Sequence, residues 1–257
     1  MIAVIAITVF LATVLGSISG IGGGVIIKPV MDAISDMGAS TISFLSGTTV
    51  LVMTIASLLR SRKGDVRIDR RGTFLAVGGA AGGLIGKALF SYVTASASSP
   101  SFVSFVQNVF MVILTALVFV YCLLKSRIRT LNVQNPALCV LSGLALGLMS
   151  SFLGIGGGPI NIMVLSFLFS MDTKTTALTS LYIIFFSQAV SFVSTCVTGL
   201  PPFEPALLVL MAALAVAGAT LGRTLSKTLD SHKIDILFLC MLVIIIGISV
   251  YNVIRFS

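Results

Sequence analysis

A glycine-rich pentapeptide occurs twice in this sequence, each time inside an apolar segment. Gly20–Gly24 reads Gly-Ile-Gly-Gly-Gly, and the same five letters recur at Gly154–Gly158. Each glycine costs a helix interior up to about 1 kcal/mol relative to alanine, so both motifs predict a helix break. A backbone that leaves its helix within hydrocarbon must lie against protein or a water-filled cavity. Paired breaks in the two halves of an apolar chain are typical of a transporter's binding site.

Helices that begin at these breaks would turn their N-terminal N–H groups, with roughly half a positive charge, toward the protein interior. Two such ends favour an anion, and glycine allows it to approach the backbone closely. The alternative is that the glycines serve only tight helix crossing. The residues predicted to bind substrate lie in and beside the two motifs: Gly22, Gly23, Gly24, Lys28, Ser46, Thr49, Gly156, Gly157, Gly158, Asn161, Ser180 and Gln188.

Three cationic residues lie in or near the ends of apolar segments. Lys28 follows the first motif by one turn, and a charge inside a membrane segment is by default a functional hypothesis. Its alternative is a lysine that extends its ammonium group to the outer interface. Lys87 and Arg223 lie near the far ends of their segments, on opposite faces of the membrane. Both are predicted to be interfacial anchors or electrostatic gates that attract anions.

Other chemistries find little support in the sequence. The single histidine, His232, lies in a loop, and neither a His-Glu-x-x-His metalloprotease motif nor a Walker A motif occurs. The four cysteines lie in apolar runs without metal-ligand spacing. We therefore predict no enzyme, no metal, no cofactor and no nucleic-acid partner. Asp32, Asp36 and Asp172 are assigned to segment ends, which leaves the coupling ion open, with the proton as candidate, and the oligomeric state is also open.

Composition places these residues in a membrane. The chain has 257 residues, of which 57% are hydrophobic and 9% are charged, whereas a soluble domain carries about 25% charged residues. Most of its apolar segments have about 20 residues, which is enough to cross a hydrocarbon core of roughly 30 Å. The segments run approximately over residues 1–27, 40–59, 72–92, 102–124, 136–169, 177–197, 205–226 and 234–254.

Lysine and arginine predict the topology. Three loops are rich in these residues: 60–71, 125–130 and 227–233. The positive-inside rule assigns them to the cytoplasm and assigns the loops 94–101 and 198–202, which lack basic residues, to the outside. This assignment requires the segment 136–170 to leave and return on one side. Its second limb, Pro159–Phe169, is only about 16 Å long as a helix, so each glycine motif is predicted to be the turn of a re-entrant hairpin.

The two halves of the chain also repeat one another. At an offset of 134 residues the glycine motifs align and Ser46 meets Ser180, and Gly82–Lys87 matches Gly218–Arg223 at an offset of 136. The predicted fold is an all-α polytopic membrane protein with two inverted-topology repeats, each a re-entrant hairpin plus three transmembrane helices. The first repeat, 1–130, has hairpin 1–38 and spans 40–59, 72–92 and 102–124. The second, 131–257, has hairpin 136–170 and spans 177–197, 205–226 and 234–254.

Four stretches resemble the TauE/SafE family of sulfite and organosulfonate permeases: Gly20–Pro29, Gly82–Lys87, Phe152–Asn161 and Met171–Ala177. The second glycine motif departs from the family pattern because Met163 stands where the first has Pro29. The resemblance implies transport of a small sulfur-containing anion, such as sulfite, thiosulfate or an organosulfonate, across the bacterial inner membrane. Secondary transport by alternating access is the leading hypothesis. A passive anion channel, or a permease for another small organic anion, is the alternative.

Overall fold

The computed structural model describes residues 1–61, 68–97 and 100–257, and within them the fold is entirely helical. Residues 62–67 of the basic loop 60–71 lie outside the described residues. The described part contains ten α-helices and a short 3₁₀ turn at Lys125–Arg127. The helices are α1 Ile2–Ser19, α2 Gly24–Ile34, α3 Ala39–Ser61, α4 Arg70–Ser96, α5 Pro100–Leu124, α6 Pro136–Leu153, α7 Pro159–Phe169, α8 Thr173–Thr198, α9 Pro205–Thr228 and α10 Ser231–Phe256.

Eight of the described helices are long and apolar enough to cross a membrane, and they are all except α2 and α7. These two have 11 residues each, which corresponds to about 16 Å of helix. The prediction of an all-helical, multi-pass membrane protein is therefore confirmed. The short helices are those that follow the glycine motifs.

The glycine motifs separate α1 from α2 and α6 from α7. Gly20, with a φ of 80°, is the C-cap residue of α1, and Gly154, with a φ of 65°, is the C-cap residue of α6. Glycine adopts this left-handed conformation without the steric penalty of a Cβ atom, which is why it terminates helices. Helix α7 begins with Pro159, whose missing N–H would have no partner at that position in any case.

Corresponding helices of the two halves make corresponding contacts. Helix α1 packs along α9, and α6 packs along α4. Helix α3 packs on α9 and α4 on α8, while α3 contacts α8 and α5 contacts α10. The α4–α6 crossing depends on small residues, since a Cβ atom on Gly82 would collide with the carbonyl oxygen of Leu144. Each glycine turn is thereby held against helices from the other half of the chain.

Asp172 begins α8 and marks the end of the second glycine-containing segment. Its carboxylate accepts hydrogen bonds from the backbone N–H groups of Lys174 and Thr175, at 3.0 and 3.1 Å. Partial burial opposes ionisation, but hydrogen bonds from the Thr175 side chain and from these backbone groups outweigh it and lower the pKa of Asp172 below its usual value. The charged cap stabilises the start of α8, the helix that carries Ser180 and Gln188.

Candidate functional site

The two glycine turns contact each other in the interior of the bundle. We call Gly20–Gly24 tip 1 and Gly154–Gly158 tip 2. A Cβ atom on Gly22 would lie 2.8 Å from a carbonyl oxygen of tip 2, and one on Gly24 would collide with another. The glycines therefore permit a backbone-to-backbone approach that no other residue allows.

This contact lies near the middle of the long helices. Gly156 packs against Val50, at the midpoint of α3, and Gly157 packs against Ile184, near the midpoint of α8. Every residue of both tips is buried. The two tips thus fill the centre of the helical bundle.

Helices α2 and α7 both begin at this central contact. Their first residues are Gly24 and Pro159, close to the starts near Val25 and Pro159 predicted from the sequence. Neither Gly23 nor Gly158 supplies a side-chain cap. The positive ends of two helices therefore point at the tips without a side chain to satisfy them, which is the arrangement that attracts anions.

Polar side chains of α3, α7 and α8 surround the tips. The Ser180 hydroxyl donates to the carbonyl oxygen of Gly20 at 2.6 Å, and the Asn161 amide donates to the Ser180 hydroxyl at 3.3 Å. Ser46 Oγ lies 2.9 Å from the position of a Gly24 Cβ atom. Ser46 Oγ and Asn161 Oδ1 are buried without a hydrogen-bond partner among the described residues. An unpartnered buried polar atom costs about 1–3 kcal/mol, so both are candidates for ligand contact.

A narrow, mainly apolar pocket adjoins tip 2. Gly157, Gly158 and Asn161 line one side of it, and Met111 and Leu114 of α5 line the other. Gly158 has an extended backbone with a φ of −172°, and a Cβ atom there would meet only a side-chain methyl group of Ile155, at 3.4 Å. This glycine is therefore not needed for packing, unlike its neighbours.

A polar pocket lies on another side of tip 2, where α3, α4, α6 and α8 meet. Lys87, Gln188, Ser43 and Ser151 are among the residues that line it. The hydroxyl oxygens of Ser43 and Ser151 are buried without a hydrogen-bond partner among the described residues. A lysine beside two unpartnered hydroxyls is a suitable site for an oxyanion.

Arg223 is the matching cation at tip 1. Its Nη1 donates to the carbonyl oxygen of Ser17 at 3.5 Å, and its Nε is buried without a partner among the described residues. Ser17 precedes tip 1 by three residues, as Ser151 precedes tip 2. Lys87 and Arg223 therefore occupy corresponding places beside the two turns.

Some residues predicted to bind substrate make their described contacts with groups other than the opposite tip. The Thr49 hydroxyl donates to the carbonyl oxygen of Leu45 in its own helix, at 2.7 Å. The Gln188 amide donates to the hydroxyl of Ser150 at 3.2 Å. A Cβ atom on Gly23 would face α1 rather than tip 2. Their contact with substrate stays a prediction.

Lys28 does not extend to the membrane surface. Its side chain is 2% exposed, and its Nζ lies 2.8 Å from Oδ2 of Asp32, which is 1% exposed. The alternative of an ammonium group at the interface is therefore wrong. Asp32, assigned from the sequence to a segment end, lies in the last turn of α2 and is buried there.

A family model described as sulfite exporter TauE/SafE matches residues 5–249. The chain belongs to this family. The probable membrane transporter protein YunE of Bacillus subtilis (strain 168) is 24% identical over 267 aligned residues, which cover 91% of this chain and 92% of YunE. No solved structure matches the chain. The resemblance seen in the glycine motifs is thus confirmed over nearly the whole sequence, and the TauE/SafE family is a family of membrane transporters.

The burial of three polar residues of this TauE/SafE protein, Asp32, Asn108 and Asn252, is not visible in its sequence. Asn108 of α5 donates to Oδ2 of Asp32 at 3.1 Å, and Asn252 of α10 donates to the carbonyl oxygen of Pro29 at 2.8 Å. The available signal was the i, i+4 spacing of Lys28 and Asp32, which places the two side chains on one face of a helix. The two asparagines carry no comparable signal because their partners are distant in sequence.

Proposed function

We propose that this protein is a secondary transporter for a small sulfur-containing anion: sulfite, thiosulfate or an organosulfonate. The observation that carries the proposal is the convergence of two uncapped helix N-termini, at Gly24 and Pro159, on one buried contact. Backbone N–H groups and helix dipoles there stabilise negative charge without a resident cation. The family description, which names sulfite, supports the sulfur-containing class.

The architecture we propose consists of two inverted repeats, 1–130 and 131–257, each with a re-entrant hairpin and three spans. Two observations support it: the matched contacts α1–α9 and α6–α4, and the two short helices, α2 and α7, that follow the glycine turns. The basic loops 60–71, 125–130 and 227–233 would then face the cytoplasm of an inner-membrane protein.

Alternating access is favoured over a passive channel because both tips are fully buried. A conducting channel needs a continuous aqueous path, whereas an occluded contact must open to one side at a time. When proteoliposomes are loaded with unlabelled anion and labelled anion is added outside, the label should accumulate transiently inside them by counterflow. Simple downhill equilibration without this overshoot would favour the channel.

We assign the centre of the site to the tips and the polar groups beside them. The residues proposed to surround the substrate are Gly22, Gly23, Gly24, Lys28, Ser46, Thr49, Gly156, Gly157, Gly158, Asn161, Ser180 and Gln188. Lys87 and Arg223 would act as gates that attract the anion to the two corresponding approaches. Tip 2, with its two adjoining pockets, is where an entering anion would first meet the site.

Replacing Gly158 with alanine tests substrate approach separately from packing. The new methyl group fits the protein and its extended backbone, so stability should stay the same or rise by about 0.4–1 kcal/mol. Because the methyl group would lie at the pocket beside tip 2, anion counterflow should fall by roughly ten-fold or more, a loss of about 1.4 kcal/mol. Thermal unfolding in detergent and counterflow measure the two effects.

Gly38→Ala is the matched control, since a Cβ atom at Gly38 also fits without a clash and has nothing within 4 Å. It should leave both stability and transport at the wild-type level. Normal transport by Gly158→Ala would place the substrate away from the start of α7.

Replacing Lys87 with glutamine tests its role as a gate. Loss of the ammonium group beside the unpartnered hydroxyls should raise KM for the anion roughly ten-fold, with kcat little changed. The wild-type KM should also rise with ionic strength more steeply than that of the variant. Lys233→Gln, at the exposed start of α10, is the control. A change in stability with an unaltered KM would identify Lys87 as an interfacial anchor.

A further inference from the structure

The ion pair between Lys28 and Asp32 is the one described salt bridge whose two side chains are both buried. Asp32 Oδ2 accepts hydrogen bonds from Lys28 and from the amide of Asn108, at 2.8 and 3.1 Å. Asp32 Oδ1 is buried and has no partner among the described residues. One carboxylate oxygen is therefore saturated, and the other is free to take a proton.

Few other charges face this carboxylate. Helix α1 contains no ionisable side chain, and α3 contains only Arg60, at its far end. Helix α5 presents Asn108, whereas its Tyr121 and Cys122 lie at the opposite end. Helix α10 presents Arg255, which donates to the backbone carbonyl oxygen of Asp32 at 3.0 Å.

Arg255 also marks the nearest aqueous surface. It pairs with Asp36 at 3.6 Å, and the Asp36 side chain is fully exposed. Arg255 thus joins the backbone of buried Asp32 to a charged group in water, Asp36, which lies beyond the end of α2. This side of α2 is where a proton from water would approach Oδ1.

We propose that Asp32 accepts the coupling proton of transport and that its protonation releases Lys28 to the anion. This inference rests on the proposed function. In the step, a proton from water forms an O–H bond at Oδ1 of Asp32, and the charge of the pair changes from zero to +1. A monoanion then binds to the freed ammonium group, so the loaded site is neutral. When the anion leaves, Lys28 returns to Asp32 and the proton passes to water.

The geometry of α2 supports this exchange. Lys28 lies one turn after Gly24, and helical side chains lean toward the N-terminus of their helix. Pairing with Asp32 holds the ammonium group toward the C-terminus instead. A released Lys28 therefore turns toward tip 1, where the positive end of α2 already favours an anion.

Helix α5 links the pair to the pocket beside tip 2. Asn108 contacts Asp32, and Met111, on the same face of α5, lines that pocket. The positions that align with Lys28 and Asp32 in the second half are Ile162 and Ser166. The coupling device is thus present once, which predicts one proton per monoanion. A neutral cycle also avoids moving net charge through a low-dielectric interior.

Proteoliposomes that enclose a pH-sensitive dye test this assignment. Labelled ethanesulfonate is a suitable probe because it is the monoanion of a strong acid and carries no proton of its own. In the wild type, an acid-outside pH gradient should accelerate uptake several-fold, and entry of the anion should acidify the interior. Both measurements use the unaltered protein, so they do not depend on the folding of a variant.

Asp32→Asn should remove the response to the gradient, because a carboxamide takes no proton. The ratio of uptake with the gradient to uptake without it should fall to unity, whereas Asp32→Glu should keep a ratio above unity. A merely structural pair would lower uptake under both conditions and leave the ratio unchanged, which would overturn the assignment. Wild-type counterflow that ignores the gradient would also overturn it and leave the proposed function standing. Absence of counterflow for every sulfur-containing anion would count against the proposed function itself.

Discussion

Gly24→Ala should unfold more easily than the wild type and should no longer bind the anion. The added methyl group would collide with the carbonyl oxygen and carbon of Ile155, which belong to the backbone of tip 2 and cannot rotate away. Overpacking typically costs about 1–3 kcal/mol, and a clash with backbone belongs at the upper end of that range. We expect a lower apparent Tm in detergent and loss of the stabilisation that sulfite or a sulfonate should give the wild type.

Gly247→Ala is the matched control for a helical glycine. Gly247 is exposed on α10, and nothing lies within 4 Å of a Cβ atom there. Its Tm should equal or slightly exceed that of the wild type, since alanine is the better helix former. If Gly24→Ala behaved like this control in both stability and ligand response, Gly24 of tip 1 would not pack against the backbone of Ile155 in tip 2.

Lys28→Met alone should be the most destabilising of the single substitutions considered. It leaves the Asp32 carboxylate buried without its cation, and breaking one partner of a buried pair costs about 3–5 kcal/mol. The double variant Lys28→Met/Asp32→Asn removes both charges and keeps an amide beside Asn108. It should recover most of the lost stability.

Thermal unfolding of the two variants and the wild type in one detergent measures this difference. The exposed pair Lys125–Asp235 provides the comparison, because its side chains are 40% and 42% exposed. Lys125→Met should change stability by less than about 1 kcal/mol. If Lys28→Met were equally mild, the Asp32 carboxylate would have another cationic partner or would already be protonated.

The sequence predicts the helices of this protein well, because their signals are local. Long apolar runs give the spans, and Pro159 after four glycines gives the start of α7 within its own segment. Ser46 and Ser180, which both lie beside tip 1, are separated by the same 134 residues as the two glycine motifs. What these signals have in common is that each is carried by residues close together or by a repeated pattern.

The individual roles of the glycines are not visible in the sequence. Gly23 faces α1, Gly24 faces the backbone of tip 2, and Gly158 faces only a side-chain methyl group of Ile155, although all three belong to the same repeated motif. These differences depend on the direction in which each absent Cβ atom would point. That direction follows from backbone torsions and from the packing of the second half of the chain.

Burial of Asp32 was missed for a related reason. A carboxylate near the end of an apolar run has the pattern of a surface residue, and only the packing of α5 and α10 over α2 makes it an interior one. Two asparagines complete that interior. Asn108 donates a hydrogen bond to Asp32, which is 76 residues away along the chain, and Asn252 donates one to Asn108, which is 144 residues away. No window of local sequence contains this arrangement.

The contacts of α1 and α6 have a consequence for how the protein is made. Helix α1 is synthesised long before its main partner, α9. Contacts this distant in sequence slow folding, because the intervening chain must be ordered before they form. Until α9 arrives, α1 can enter the bilayer without its final packing. A chain that stops after α5 would therefore lack tip 2 and α8, the parts of the second half against which tip 1 packs, and the two halves should mature only together.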